Sequence, residues 1–182
     1  GERNDFRFVH GLLSLNMGQG HYRLDSFAQG PVVLTDASKS SGYCGGGYVT
    51  NEGFWDYFVY GSRGKRKPID FLEADTLLCA VEKMMHGWRG FVIDAGLDNM
   101  AFQLAAEVKH WSRAERLNLV LKKLLVHQLR GGFVLHYHWL STHANYLADH
   151  LSRGREWDFL QLIWFSGFIA AGVTCLHMST DA

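Results

Sequence analysis

The residues best placed to do chemistry are acids near the ends of elements. FVIDAGLDN at 91–99 reads as an apolar strand that stops on Asp98-Asn99. In α/β folds a side chain leaving the sheet at a strand end faces a crevice rather than the core. PVVL at 31–34 reads as a second strand, emptying into Thr35-Asp36-Ala37-Ser38, while Glu73 stands near the start of a helix and Asp149 lies within one. Acids gathered at one point would offer hard oxygen ligands, which select Mg²⁺ or Mn²⁺ over zinc. Their crowding would raise one another's pKa, leaving the group strained and partly protonated without metal. Each acid also has an ordinary reading. Asp36 suits a turn, Asp98-Asn99 a helix cap, and Asp149 a solvated helix face. Glu73, three residues after Asp70, suits a capping-box-like pair, and one carboxylate cannot both cap and bind metal well. Asp94 is a rival to Asp98, since alternation puts both on one strand face with 98 nearer the strand end.

The elements that must position these acids follow from periodicity. After 31–34, the runs 42–50 and 53–60 read as strands joined by the hairpin signal Asn51-Glu52-Gly53. Gly45, Gly46 and Gly47 are not a phosphate loop, because no GK[ST] follows; bare backbone there allows a bulge or the close approach of a neighbour or ligand. Arg63, Lys65, Arg66 and Lys67 make a basic loop closed by Pro68, in itself an ordinary solvated connector. Residues 70–86 carry an apolar stripe at helical spacing through Leu72, Leu77, Leu78, Val81, Met84 and Met85. Strand 91–97 precedes helical stretches at about 100–110 and 112–129, the second with its stripe at Leu117, Val120, Leu121, Leu124 and Leu125. A strand at 133–139 and a helix opened by Asn145 follow. The expected fold is α/β, a mixed sheet flanked by helices, with parallel neighbours for strand 91–97 because helical crossovers stand on either side of it.

Composition sets the outer limits. The 182 residues are 47% hydrophobic and 20% charged, the balance of a globular chain rather than a disordered one. Net charge is zero, so any nucleic-acid contact must rest on a local patch. Three well-separated cysteines argue against a disulfide framework and for a reducing compartment. The charged N-terminal stretch lacks the apolar run of a signal peptide. The apolar stretch 159–178 is long enough to raise a membrane span, but two glycines and several polar residues favour a buried helix followed by a strand or loop.

Taken together, LTDASKSSGYCGGG at 34–47, GFW at 53–55, DFLEADTLLCAVE at 70–82, LDNMA at 97–101 and NYLADHLSR at 145–153 resemble the ribonuclease H domain of retroelement reverse transcriptases, of the DIRS-like or Ty3-like kind. The resemblance covers roughly residues 30–160. It implies a ribonuclease H-like mixed five-stranded sheet flanked by helices, in a domain at 31–155, with 1–30 as a lead-in and 156–182 as an extension. It implies metal binding and catalysis by Asp36, Glu73, Asp98 and Asp149, the DN motif favouring Asp98 over Asp94. Nucleic-acid contacts would come from Ser38, Arg63, Lys65, Arg66, Lys67, Asn99 and Asn145, with Arg113 and Arg116 weaker candidates. The implied reaction is hydrolysis of the RNA strand of an RNA–DNA hybrid with two Mg²⁺ ions, Mn²⁺ being a possible substitute. Two such ions supply the nucleophilic water, charge stabilisation at phosphorus and help for the leaving oxygen. The implied partner is a polymerase region of the same element in a longer polyprotein, and the implied setting intracellular, cytoplasmic or nuclear, with no membrane.

The pattern departs from that family in one loop. Where many ribonucleases H carry a mobile histidine, this chain has Trp139, with His138 beside it and His143 in the loop. Two alternatives therefore stay open: a decayed module that binds nucleic acid without turnover, and a DNA nuclease or strand-transfer domain of related fold. His136 and His138, with His143 and His150, could also form a zinc site, although strand histidines are more often packed or hydrogen-bonded.

Overall fold

A computed structural model describes residues 27–109, 112–166 and 174–175. In chain order the strands and helices are β1 (Ala28–Lys39), β2 (Cys44–Thr50), β3 (Phe54–Val59), α1 (Ser62–Lys65), α2 (Ile69–Met84), β4 (Phe91–Leu97), α3 (Met100–Leu104), α4 (Glu115–Gly131), β5 (Val134–Trp139), α5 (Tyr146–Ser152), α6 (Glu156–Ser166) and β6 (Thr174–Cys175). A 3₁₀ turn, Met85–Gly87, ends α2, and α3 runs on into a π-helical turn at Ala105–Lys109.

The sheet order is β5-β4-β1-β2-β3-β6. β1, β2 and β3 form an antiparallel meander, and β4 lies parallel to both β1 and β5. The five-stranded mixed sheet and its parallel centre are those expected, with β6 adding two residues of parallel pairing beside β3.

Alternation along the strands splits the core in two. Val33, Tyr48, Ile93, Ala95, Leu97, Leu135 and Tyr137 face α2 and α4, where Leu77, Leu78, Val81, Leu117, Val120 and Leu124 complete the larger core. Leu34, Val49 and Trp55 point the other way, against Leu147, Ala148 and Leu151 of α5 and Phe159 and Ile163 of α6. The structure is thus helices, sheet, helices, with α5 and α6 covering the sheet from β1 to β3.

Several boundaries differ from expectation, each for a local reason. β1 starts at Ala28 and runs straight through Asp36, rather than stopping at Leu34. It passes Pro31 because the β1–β4 register shifts between Gln29 and Val32, and a bulge tolerates a residue with no N–H to give. The basic stretch is partly helical, as α1. Leu125, expected in the stripe of α4, is 40% exposed. The apolar stretch 159–178, by contrast, follows expectation: a helix with Phe159 and Ile163 buried, α6, ends at Ser166, and Thr174–Cys175 form a strand. No helix among the described residues is long and apolar enough to cross a membrane. The lead-in at 1–26 lies outside the described residues.

The outer edge of β5 is occupied by side chains rather than left bare. Glu107 of the π turn accepts from Tyr137 N at 2.9 Å through Oε2, and Gln103 of α3 donates to Tyr137 O at 3.0 Å.

Candidate active site

Asp36 sits where the sheet opens. The β1–β4 pairing ends at Leu34↔Gly96, whereas β1–β2 pairing continues through Asp36↔Gly47 to Lys39. Past Leu34, then, β1 has a neighbour on one side only, and β4 ends beside it on Leu97-Asp98. Asp36 is 4% exposed.

Glu73 enters from α2. The expected cap by Asp70 is absent: Pro68 is the N-cap residue, with no side-chain bond, and Asp70 bonds instead to its neighbour's N–H and to Arg116 Nη2 at 2.8 Å. Shifting the helix start frees Glu73 from any capping role. Its Oε2 accepts from Asn99 Nδ2 at 2.6 Å. Asn99, not Asp98, is the cap of α3, its Oδ1 accepting from Phe102 N at 2.9 Å. One amide therefore starts a helix and aims Glu73 toward the β4 end.

Asp149 is carried by α5, and the glycine triplet of β2 decides how closely that helix lies on the sheet. A Cβ on Gly47 would stand 2.5 Å from Leu151 Cβ and 2.6 Å from Ser152 N, and one on Gly45 would stand 2.4 Å from Ser152 O. The approach allowed by those bare positions is by a neighbour. Asn145, fully buried, ties the other end of α5 to β1 by donating from Nδ2 to Thr35 O at 2.9 Å. Ser38, 8% exposed, donates to Ser152 O at 2.7 Å. Ser38 and Asn145 thus serve to pin α5 to β1.

The other three acids lie near enough to Asp36 to act on it through their charge. Burial is the largest cause pushing Asp36 up to about 7, with the charges of Asp98, Asp149 and Glu73 adding to it and a 2.5 Å hydrogen bond from Ser152 Oγ opposing it. Burial likewise leads in raising Glu73 to about 7, with Asp98 and Asp70 contributing and the Asn99 bond opposing. Asp98 is raised by burial and by Asp149, partly offset by its own backbone and by a hydrogen bond with Asp36. Desolvation thus outweighs the mutual repulsion read from the sequence. Arg153 reaches back one turn to Asp149, with Nη2 at 2.7 Å and Nε at 2.9 Å, both on Oδ1. Among the described residues, no three of these acids close to within 4.8 Å of one another, a spread unsuited to a single ion.

Sequence reasoning did not single out Ser152 or Arg153, although both stand in NYLADHLSR; their partners Asp36 and Asp149 supply the reason they matter. Arg63, Lys65, Arg66 and Lys67 lie just before α2, all of them at the surface. Lys65 Nζ donates to Gly42 O at 3.3 Å, and Lys39 Nζ to Lys67 O at 2.8 Å. Of the weaker pair, Arg113 is exposed and Arg116 is held by Asp70. Trp139 Nε1 donates to Asp98 O at 3.1 Å, and His143 is exposed in the loop. His138 is held by Asp94 at 2.9 Å. The four-histidine cluster does not form: His150 lies against Asp158, and His136 and His138 gather on Asp94.

No protein-family model matches the sequence, and no curated protein does. Solved structures do. The RNase H1 of the halophilic archaeon Halobacterium salinarum superposes with a TM-score of 0.55 at 19% identity, covering 70% of this chain and 98% of that one. The N-terminal RNase H domain of a Mycobacterium tuberculosis protein gives 0.54 at 15%, covering 77% and 99%. LC11-RNase H1, solved in complex with an RNA/DNA hybrid, gives 0.57 at 13%, covering 67% and 93%. Likeness at this level of identity speaks to architecture, and the order of strands and helices agrees with it: the chain is built on the ribonuclease H fold.

Proposed function

We propose that the chain hydrolyses the RNA strand of an RNA–DNA hybrid, as the ribonuclease H part of a retroelement reverse transcriptase. The observation that carries this reading is the convergence of Asp36, Glu73, Asp98 and Asp149, from β1, α2, the end of β4 and α5, on one opening of the sheet. The donor set fits divalent magnesium: every ligand is a carboxylate oxygen, and the burial that raises the pKa of Asp36, Glu73 and Asp98 is offset by cations. When bound, two such ions would supply an activated water and charge stabilisation at phosphorus. Asp36, Glu73, Asp98 and Asp149 would hold them, with Mn²⁺ as a substitute for Mg²⁺.

The remaining residues position. Asn99 orients Glu73, Ser152 holds Asp36, and Asn145 and Ser38 lock α5 so that Asp149 faces β1. Arg63, Lys65, Arg66 and Lys67 are offered as phosphate contacts on the approach to Glu73, and recognition would rest on groove shape and 2′-hydroxyls rather than bases. The LC11 enzyme's hybrid complex supports this substrate class by likeness of fold. The reading carries with it a polymerase partner in a longer polyprotein and an intracellular, cytoplasmic or nuclear setting.

A second reading is a binding module without turnover. It is favoured by the Arg153–Asp149 ion pair, which occupies a carboxylate needed for metal, and by Trp139, the last residue of β5, which bonds Asp98 from the position where many ribonucleases H carry a histidine. The test is labelled RNA–DNA hybrid with Mg²⁺ or Mn²⁺, wild type beside Asp98→Asn, with double-stranded DNA as a parallel substrate. Cleavage of the RNA strand that disappears in Asp98→Asn is expected. Hybrid binding with no cleavage by wild type under either metal would identify the second reading, and processing of double-stranded DNA alone would overturn both.

A further inference from the structure

We propose that Asp94, His136 and His138 form a binding site for a transition-metal ion of the zinc class, separate from the four acids. The register of the parallel β4–β5 pair sets Asp94 beside His136, and His138 follows two residues on, so all three share a face. It is the face opposite Ile93, Ala95, Leu135 and Tyr137, which are core. The side chains there stay accessible, at 26% for Asp94, 52% for His136 and 47% for His138.

The geometry suits a small coordination sphere. Asp94 Oδ1 lies 2.9 Å from His138 Nε2 and 3.5 Å from His136 Nδ1, and one ligand atom from each residue falls within 4.8 Å of the others. Bonds of about 2.0–2.1 Å in a tetrahedral sphere put neighbouring ligand atoms about 3.3 Å apart, between those two distances. On His136 and Asp94 the outward-facing atoms are already taken, as the second layer of a metal site requires. His136 Nε2 lies 3.1 Å from Glu107 Oε1, which fixes the ring with Nδ1 toward Asp94. Gln29 Nε2 donates to Asp94 Oδ2 at 2.6 Å, leaving Oδ1 for the histidines. A pair of imidazoles and a carboxylate prefers zinc-class ions to magnesium and leaves positions open for water or a further ligand.

The site does not depend on the reading of the four acids. Asp94 and Asp98 are four residues apart on one strand, about 13 Å at the usual rise, so the two sites can be loaded independently.

Titrating Zn²⁺ into the whole chain by calorimetry, with millimolar Mg²⁺ present to occupy the acids, tests the proposal. Expected is one Zn²⁺ per chain, with affinity at least about tenfold weaker in His136→Gln and in His138→Gln and similarly reduced in Glu107→Gln. Asp98→Asn should bind as wild type does. Co²⁺ should give visible absorption bands that vanish in the double histidine variant. The histidines are half exposed, so circular dichroism should show the variants folded. Absence of Zn²⁺ binding, equal affinity in the double histidine variant, or loss of binding in Asp98→Asn instead would each overturn it.

Discussion

Asp36 is a carboxylate that folding makes hard to ionise. Held at about 7 in the fold against an ordinary value of 3.8, it is, between those two pH values, protonated in the folded chain and charged in the unfolded one. Its contribution to stability is therefore full below about pH 4 and is lost as pH rises toward 7. Metal-free protein should unfold more easily at pH 8 than at pH 5. Asp36→Asn, which keeps the shape without the charge, should raise metal-free stability at pH 8 by on the order of 1–2 kcal/mol and leave it unchanged near pH 4. Thermal unfolding with chelator at both pH values checks this. An equal shift at pH 4 and pH 8 would mean that packing, not charge, is responsible. Added Mg²⁺ should raise the Tm of wild type at pH 8 more than that of Asp36→Asn. At this scale the sequence was legible where residues announce themselves locally, as Asp98-Asn99 does after an apolar run. It was illegible where the partner is remote. Ser152 gains its meaning from Asp36, 116 residues away, and Asp94 from histidines on another strand.

At the scale of elements, the packing of α5 on β2 sets the distance from Asp149 to Asp36. Gly47→Ala places a methyl against Leu151 and the backbone of Ser152, and overpacking of this kind costs about 1–3 kcal/mol. It should also lower cleavage or hybrid binding by tilting α5. Gly42→Ala, which meets nothing within 4 Å, should be near neutral. Urea unfolding of the two variants is the check. The loop through α1 has its own prediction. Neutralising Arg63, Lys65, Arg66 and Lys67 should weaken hybrid binding and reduce its salt slope by up to about 1 for each phosphate that the loop neutralises. An unchanged slope would return the loop to a solvated connector. Helix and strand existence was readable from periodicity, but starts were not. The pair Asp70 and Glu73 mimics a capping box, whereas Pro68 sets the true start of α2; and Pro31 reads as a strand beginning although a bulge carries β1 through it.

For the molecule as a whole, the two cores are unequal in what they hold. The larger joins α2 and α4 to the sheet, while the smaller relies on α6 to cover Trp55, whose ring lies 5.0 Å from that of Phe159. Phe159→Ala should cost about 3–5 kcal/mol, as for other fully buried aromatics. A destabilisation well below about 1 kcal/mol in urea titration would show α6 to be an appendage. The mixed sheet and its parallel centre could be read from the order of strands and helical crossovers. That the run of α6 is buried could be read as well, from its glycines and polar residues, but not that it covers Trp55, a partner far away in the chain.

The Gln103 and Glu107 bonds to Tyr137 bear on how the protein behaves among copies of itself. An open strand edge is a template on which another chain can add a strand and begin a fibril. Here a helical turn supplies a mock strand, filling that edge with an amide and a carboxylate that cannot be extended. Removing both side chains should increase self-association with rising concentration, readable by light scattering beside the wild type.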